Sequence, residues 1–116
     1  MIQIRVPQLV PSSLNSREHW RVKAARVKRE RAMVRIVLSS RNPSPLPVVV
    51  TLTRCSPGTL DDDNAVGAMK AVRDEVAAWL GVDDRDPRVT WKVKQARMPK
   101  LRSGTIVRVE PRAEAA

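Results

Sequence analysis

The sequence predicts a small α/β (α+β) domain, a mixed β-sheet packed by two main helices in the order β-α-β-α-β-β. Three observations carry that expectation. Two stretches space their apolar residues at helical intervals, and four others either alternate apolar with polar residues or run β-branched. The length of 116 residues with 42% apolar content supplies one hydrophobic core and leaves no room for a second cofactor-binding half. Residues 1–116 therefore read as one domain, without internal repeat, low-complexity tract or long linker.

The first strand is Ile2 to Val6, with Ile2, Ile4 and Val6 on one face, ending at Pro7. Pro11 to Ser16 reads as a loop. From about Arg17 to Leu38 a helix is expected, with Trp20, Ala24, Val27, Val34 and Leu38 on its core stripe and Asn15 or Ser16 as cap. The proline-rich stretch 42–47 is a short connection. Val48 to Cys55 is β-branched and reads as a central strand buried on both faces for much of its length. A second helix is expected from about Ala65 to Leu80, capped by Asp63 or Asn64 and stopped by Gly81, with Val66, Met69, Val76, Ala77 and Leu80 facing the core. Arg88 to Arg97 and Thr105 to Glu110 alternate and read as a hairpin pair across the Ser103-Gly104 turn signal.

The only aromatic residues are Trp20, Trp79 and Trp91, so the core is built from Val, Ile, Leu, Ala and Met. One cysteine and one histidine exclude an internal disulfide and a Cys/His zinc site. Cys55 reads as a small core residue, and His19 as a surface or phosphate-contacting side chain. No apolar run reaches signal-peptide or membrane-span length, so a cytoplasmic protein with no membrane partner is expected.

Twenty-two Lys and Arg against twelve Asp and Glu give a formal charge of +10. Such an excess points to a polyanionic partner, because Lys and Arg gain affinity by releasing the counterions condensed on nucleic acid. An anionic membrane surface or solubility alone are the plainer readings. The charge is unevenly placed. All seven aspartates, with Glu75, fall between residues 61 and 86 beside only Lys70, Arg73 and Arg85, so this window carries −5 and the remainder +15. An acidic centre in a phosphate-gripping domain needs something to offset its repulsion, and a divalent cation is the obvious candidate.

Asp61 and Asp63 stand two apart where a buried strand gives way to a helix, so an extended backbone would project both to one side. Asp83-Asp84 follow the second helix, and sequence alone does not bring the two clusters together. If they met, three carboxylates would make a hard oxygen site suited to Mg²⁺ or Mn²⁺. The alternative is that 61–64 is a helix N-terminus whose carboxylates answer the helix dipole, and that 83–86 is a solvated loop. Lys70 would either neutralise charge at a metal-bound phosphate or pair with Asp74 one turn on.

The run Leu60-Asp61-Asp62-Asp63-Asn64, followed by Lys70, Asp74, Gly81 and Asp83-Asp84, resembles the RusA-type Holliday-junction resolvases, often carried by phages and prophages. That family has a D-x-D-N motif, a helix bearing Lys and then Asp, and a later Asp-Asp. Pro11-Ser12 and Asn15 with the basic residues after them look like its N-terminal segment. Here five residues separate Asn64 from Lys70 where the type member has two, while the aspartate four residues after the lysine is kept. The resemblance implies a homodimeric α/β endonuclease of the bacterial host cytoplasm. It implies Asp61, Asp63 and Asp84 as Mg²⁺ ligands, Lys70 as catalytic lysine, and Asn64, Asp74 and Asp83 in support, with no small-molecule cofactor.

The leading expectation is thus a metal-dependent, structure-selective endodeoxyribonuclease that binds four-way DNA junctions as a homodimer and nicks two strands symmetrically. Asn15, Arg17, Arg21, Lys23 and Arg26 near and on the first helix, with Lys92, Lys94 and Arg97 on the third strand and Lys100 and Arg102 beyond it, would hold phosphates without reading bases. The rival is a non-catalytic, basic nucleic-acid-binding phage accessory protein whose aspartates only cap a helix. A ribonuclease or general nuclease using the same metal chemistry is the third reading.

Overall fold

The computed structural model describes residues 1–7 and 20–113, with the side chains of Trp20, Val22 and Lys23 outside that description. It shows a small single-domain α+β fold: β1 (Ile2–Pro7), α1 (Trp20–Ser39), β2 (Val48–Ser56), α2 (Asp62–Ala68), α3 (Lys70–Leu80), β3 (Val89–Arg97), a 3₁₀ turn (Lys100–Arg102) and β4 (Gly104–Pro111). The strand order across the sheet is β1-β4-β2-β3. β4 lies antiparallel between β1 and β2, whereas β2 and β3 run parallel, joined by the helical crossover through α2 and α3.

This order corrects the expected hairpin. β3 and β4 are adjacent in sequence, yet β2 lies between them, and the 3₁₀ turn carries the chain across the end of β2. Two strands that both alternate are compatible with any neighbour. The nine-residue β2, buried along most of its length, pairs with β4 on one edge and β3 on the other, and this leaves β3 at the edge of the sheet.

Register sorts the side chains onto two faces. Ile4 and Val6 of β1, Val107 and Val109 of β4, Val48, Val50 and Leu52 of β2 and Val89 of β3 share one face and form a single core with Val34 and Leu38 of α1 and Val72, Val76 and Leu80 of α3. Both long helices therefore cover the same side of the sheet. Val50, Leu52 and Val107 are fully buried, each worth about 1.5–3 kcal/mol of apolar burial. Ala24 and Val66, expected on core stripes, are exposed instead.

The two helices are also tied by charge. Glu75 of α3, only 4% exposed, receives Arg31 Nε at 2.9 Å and Arg35 Nη2 at 2.9 Å from α1. Hydrogen bonding from Arg35 holds the Glu75 carboxyl below its ordinary pKa, overcoming the opposing effect of burial. Trp79 Nε1 adds a bond to the Arg41 carbonyl oxygen at 3.1 Å, fixing the chain that leaves α1. Among the described residues no helix is long and apolar enough to cross a membrane.

Candidate functional site

The segment that follows β2 is held from both sides before it reaches the aspartates. Arg54 Nη1 donates to Ser56 Oγ at 2.7 Å and to the Gly58 carbonyl oxygen at 3.3 Å, and Ser56 Oγ donates to that same oxygen at 2.5 Å. From β3, the Gln95 side chain engages both backbone groups of Leu60, accepting from its N–H at 2.9 Å and donating to its carbonyl at 2.7 Å. A glutamine on the face otherwise given to Val89, Trp91 and Val93 is a polar break in an apolar pattern. That break was the available signal for this clamp.

Asp61, immediately after the clamped Leu60, is the N-cap of α2. Its backbone is extended (φ −65°, ψ 163°), its Oδ1 accepts from the Asn64 N–H at 3.3 Å, and its carbonyl accepts from Ala65 N–H at 2.9 Å. The helix thus begins three residues earlier than expected, with Asp61 as cap in place of Asp63 or Asn64. Asp62 and Asp63 sit in the first turn, where carboxylates offset the unsatisfied N–H groups. All of residues 61–64 are exposed.

The predicted continuous helix is broken at Met69 (φ −92°, ψ 0°), whose N–H is shared between the Ala65 and Val66 carbonyls at 3.2 Å each. Gly67, which weakens helix by about 1 kcal/mol relative to alanine, lies just before the break. Lys70 is the exposed first residue of α3, and Asp74 is half-buried one turn on. The expected stop at Gly81 is present as a left-handed residue (φ 76°), with Gly81 N–H bonding Ala78 O and Val82 N–H bonding Ala77 O.

The loop after Gly81 folds back against α3 and β3. The Asp84 carbonyl oxygen accepts from Arg73 Nη2 and from Trp91 Nε1, both at 3.1 Å, and the Arg73 guanidinium lies 4.9 Å from the Trp91 ring centre. Asp84 Oδ2 is 3.9 Å from Arg73 Nε. Its neighbours have local duties. Asp83 Oδ1 accepts from the Arg85 N–H at 2.9 Å; that bond first, and then a hydrogen bond with the Asp84 side chain, lower the Asp83 pKa. Asp86 binds the Arg88 guanidinium at 2.7 and 3.0 Å and the Arg88 N–H at 2.9 Å, which lowers its pKa to about 2. Of the three later aspartates, Asp84 is the one free of a turn-forming bond to the backbone.

Among the described residues no group of three or more His, Cys, Asp or Glu side chains is placed to hold a metal ion, so Asp61, Asp63 and Asp84 are not gathered into one set. The donors are all carboxylate oxygens, right in chemistry for Mg²⁺, and Mg²⁺ takes one or two protein carboxylates when phosphate oxygens complete its shell. The exposed aspartates at the start of α2 fit that smaller role.

The basic residues divide. Arg21, Lys92, Lys94 and Arg97 are exposed. Arg26 is only 9% exposed and lines a cavity of about 70 Å³ with Glu30, Arg54, Met69 and Thr105, which withdraws it from the surface where phosphates were expected. Asn15, Arg17 and His19, and the side chain of Lys23, lie outside the described residues. Cys55 is buried, as expected of a core residue. The chain matches no family profile and no curated protein.

Proposed function

We propose that the protein is a Mg²⁺-dependent, structure-selective endodeoxyribonuclease that acts on four-way DNA junctions as a homodimer. The observation that carries this reading is the placement of Asp61 and Asp63. They stand exposed at the tip of α2, on a segment fixed by Gln95, inside a domain whose residues outside 61–86 carry +15. A helix cap needs one carboxylate, and this tip has three. A bound cation would add to the relief that the helix N–H groups give these carboxylates.

The resemblance in residues 60–84 supplies the substrate class and the dimer. In this reading Asp61 and Asp63 would hold the cation, and Lys70 would lend positive charge to the phosphodiester from the start of α3. The cation supplies Lewis-acid polarisation of the phosphoryl group. Arg73 and Trp91 fix the backbone at Asp84, whose carboxylate is the third that the resemblance assigns to the site. Asp83 and Asp74 support.

The test compares Asp61→Asn with wild type in junction binding and cleavage. Asparagine caps a helix as well as aspartate, so the fold is retained. Loss of nicking with junction binding kept or tightened supports the reading, and an active Asp61→Asn protein overturns the site. Salt-sensitive DNA binding without Mg²⁺-dependent nicking would favour the accessory-protein reading, with the aspartates as helix caps.

A further inference from the structure

Of the described elements only the 3₁₀ turn reaches the face of the sheet opposite the helices, at its Cys55 end, and the rest of the face is left open. Register places two rows of side chains across it: Arg5, Ile106, Thr53 and Lys94 in one, and Gln3, Arg108, Thr51 and Lys92 in the next. Arg5, Arg108, Lys92 and Lys94 are exposed. The middle of the face, on β2, carries short threonines, so the cations stand as two rails along a shallow floor.

The rail spacing has a counterpart in DNA. With strands about 4.8 Å apart, Arg108 and Lys92 lie about 10 Å apart and Arg5 and Lys94 about 14 Å apart. These bracket the roughly 12 Å width of the major groove of a B-form duplex. The only acid in the face among the described residues is Glu110, 3.6 Å from Arg108, so the face stays strongly positive. Arg5 also donates to the Arg102 carbonyl oxygen, which ties the turn bearing Lys100 and Arg102 to the rim. The aspartates of residues 61–63 and 83–84 belong to the helical layer, away from this face.

We propose that this open face is a second DNA-binding surface, seating a duplex arm so that the two rails meet phosphates on its two strands. The proposal rests on the reading of the protein as DNA-binding and adds where a duplex lies. Single strands are disfavoured because Trp91 points to the helix side and the face offers no aromatic platform for stacking. A second copy laid face to face would set cations against cations.

The test is duplex binding in EDTA over a range of salt, so it reads out whether or not the protein cleaves. Each lost phosphate contact flattens the dependence of log K on log salt by about 0.9. Lys92→Ala/Lys94→Ala is expected to lower the slope by about 2, whereas the charge-matched Arg41→Ala/Arg85→Ala leaves it unchanged. Circular dichroism confirms that both double variants are folded. Thr53→Glu, which changes no rail residue, is expected to weaken duplex binding more than tenfold. An unchanged slope in the lysine variant, or an equal drop in the control, overturns the proposal. So does a change of oligomeric state in the lysine variant with duplex binding intact, which would assign the face to a second copy.

Discussion

Gln95 and Leu60 pair as if the glutamine side chain were one more rung of the sheet, with the Leu60 N–H bonded at 2.9 Å and its carbonyl at 2.7 Å. The bonds fix the backbone one residue before Asp61, so the first aspartate is positioned by a side chain thirty-five residues away in sequence. Gln95→Glu keeps an acceptor for the N–H but sets a carboxylate against the Leu60 carbonyl. It is expected to cost about 1–3 kcal/mol in urea unfolding at pH 7. The accompanying loss of nicking should exceed what the fraction unfolded explains.

The cap at Asp61 separates structure from chemistry. Asp61→Ala removes the oxygen that accepts from the Asn64 N–H and is expected to cost about 1 kcal/mol. Asp61→Asn should cost close to nothing in unfolding, so a loss of cleavage common to both variants reports on the carboxylate and not on the helix.

Trp91 and Arg73 converge on one carbonyl oxygen, that of Asp84. Trp91→Phe retains most of the apolar contact with α3 and deletes the Nε1 donor, with an expected loss of about 0.5–1.5 kcal/mol. Hydrogen exchange over residues 82–87 should speed up in this variant while exchange in β2 is unchanged.

Glu75 and Glu30 pull pH dependence in opposite directions. The folded-state pKa of Glu75 is lowered, first by hydrogen bonding from Arg35, so its stabilisation is complete above the ordinary value of 4.5 and is lost as pH falls through the lower folded value. That of Glu30 is raised by burial, against the pull of Arg26, so its ionisation opposes folding as pH rises through 4.5 and beyond. Glu75→Gln should therefore destabilise at pH 7, by about 1–3 kcal/mol, with the deficit shrinking in acid. Glu30→Gln should stabilise at pH 7, and that gain should also shrink in acid. Urea titrations of both variants from pH 7 to pH 3 check the signs.

The sequence shows element types better than neighbours. Alternation in Ile2–Val6, Arg88–Arg97 and Thr105–Glu110 marks real strands, and Gly81 marks a real helix stop, because period and left-handed backbone are local properties. That β2 and β4 take the interior places while β3 goes to an edge is a tertiary outcome. The break at Met69 and the earlier cap at Asp61 reflect small local preferences settled by packing. The aspartates of the candidate site were visible as residues. The anchoring of the second pair was not, because it follows from the fold of the 81–88 loop onto Arg73 and Trp91. The burial of Arg26 was likewise a matter of which face a residue takes, whereas Gln95 stood in the alternation as a polar break.

Junction cleavage by the acidic tip of α2 is read out with an end-labelled synthetic four-way junction and a matched linear duplex, each incubated with the protein in Mg²⁺, Mn²⁺ or EDTA and resolved on a denaturing gel. Metal-dependent nicks placed symmetrically in two strands of the junction are expected, with none in the duplex and none from Asp61→Asn or Asp63→Asn. A retarded junction that is never cut with either metal, or equal cutting by the asparagine variants, would contradict it.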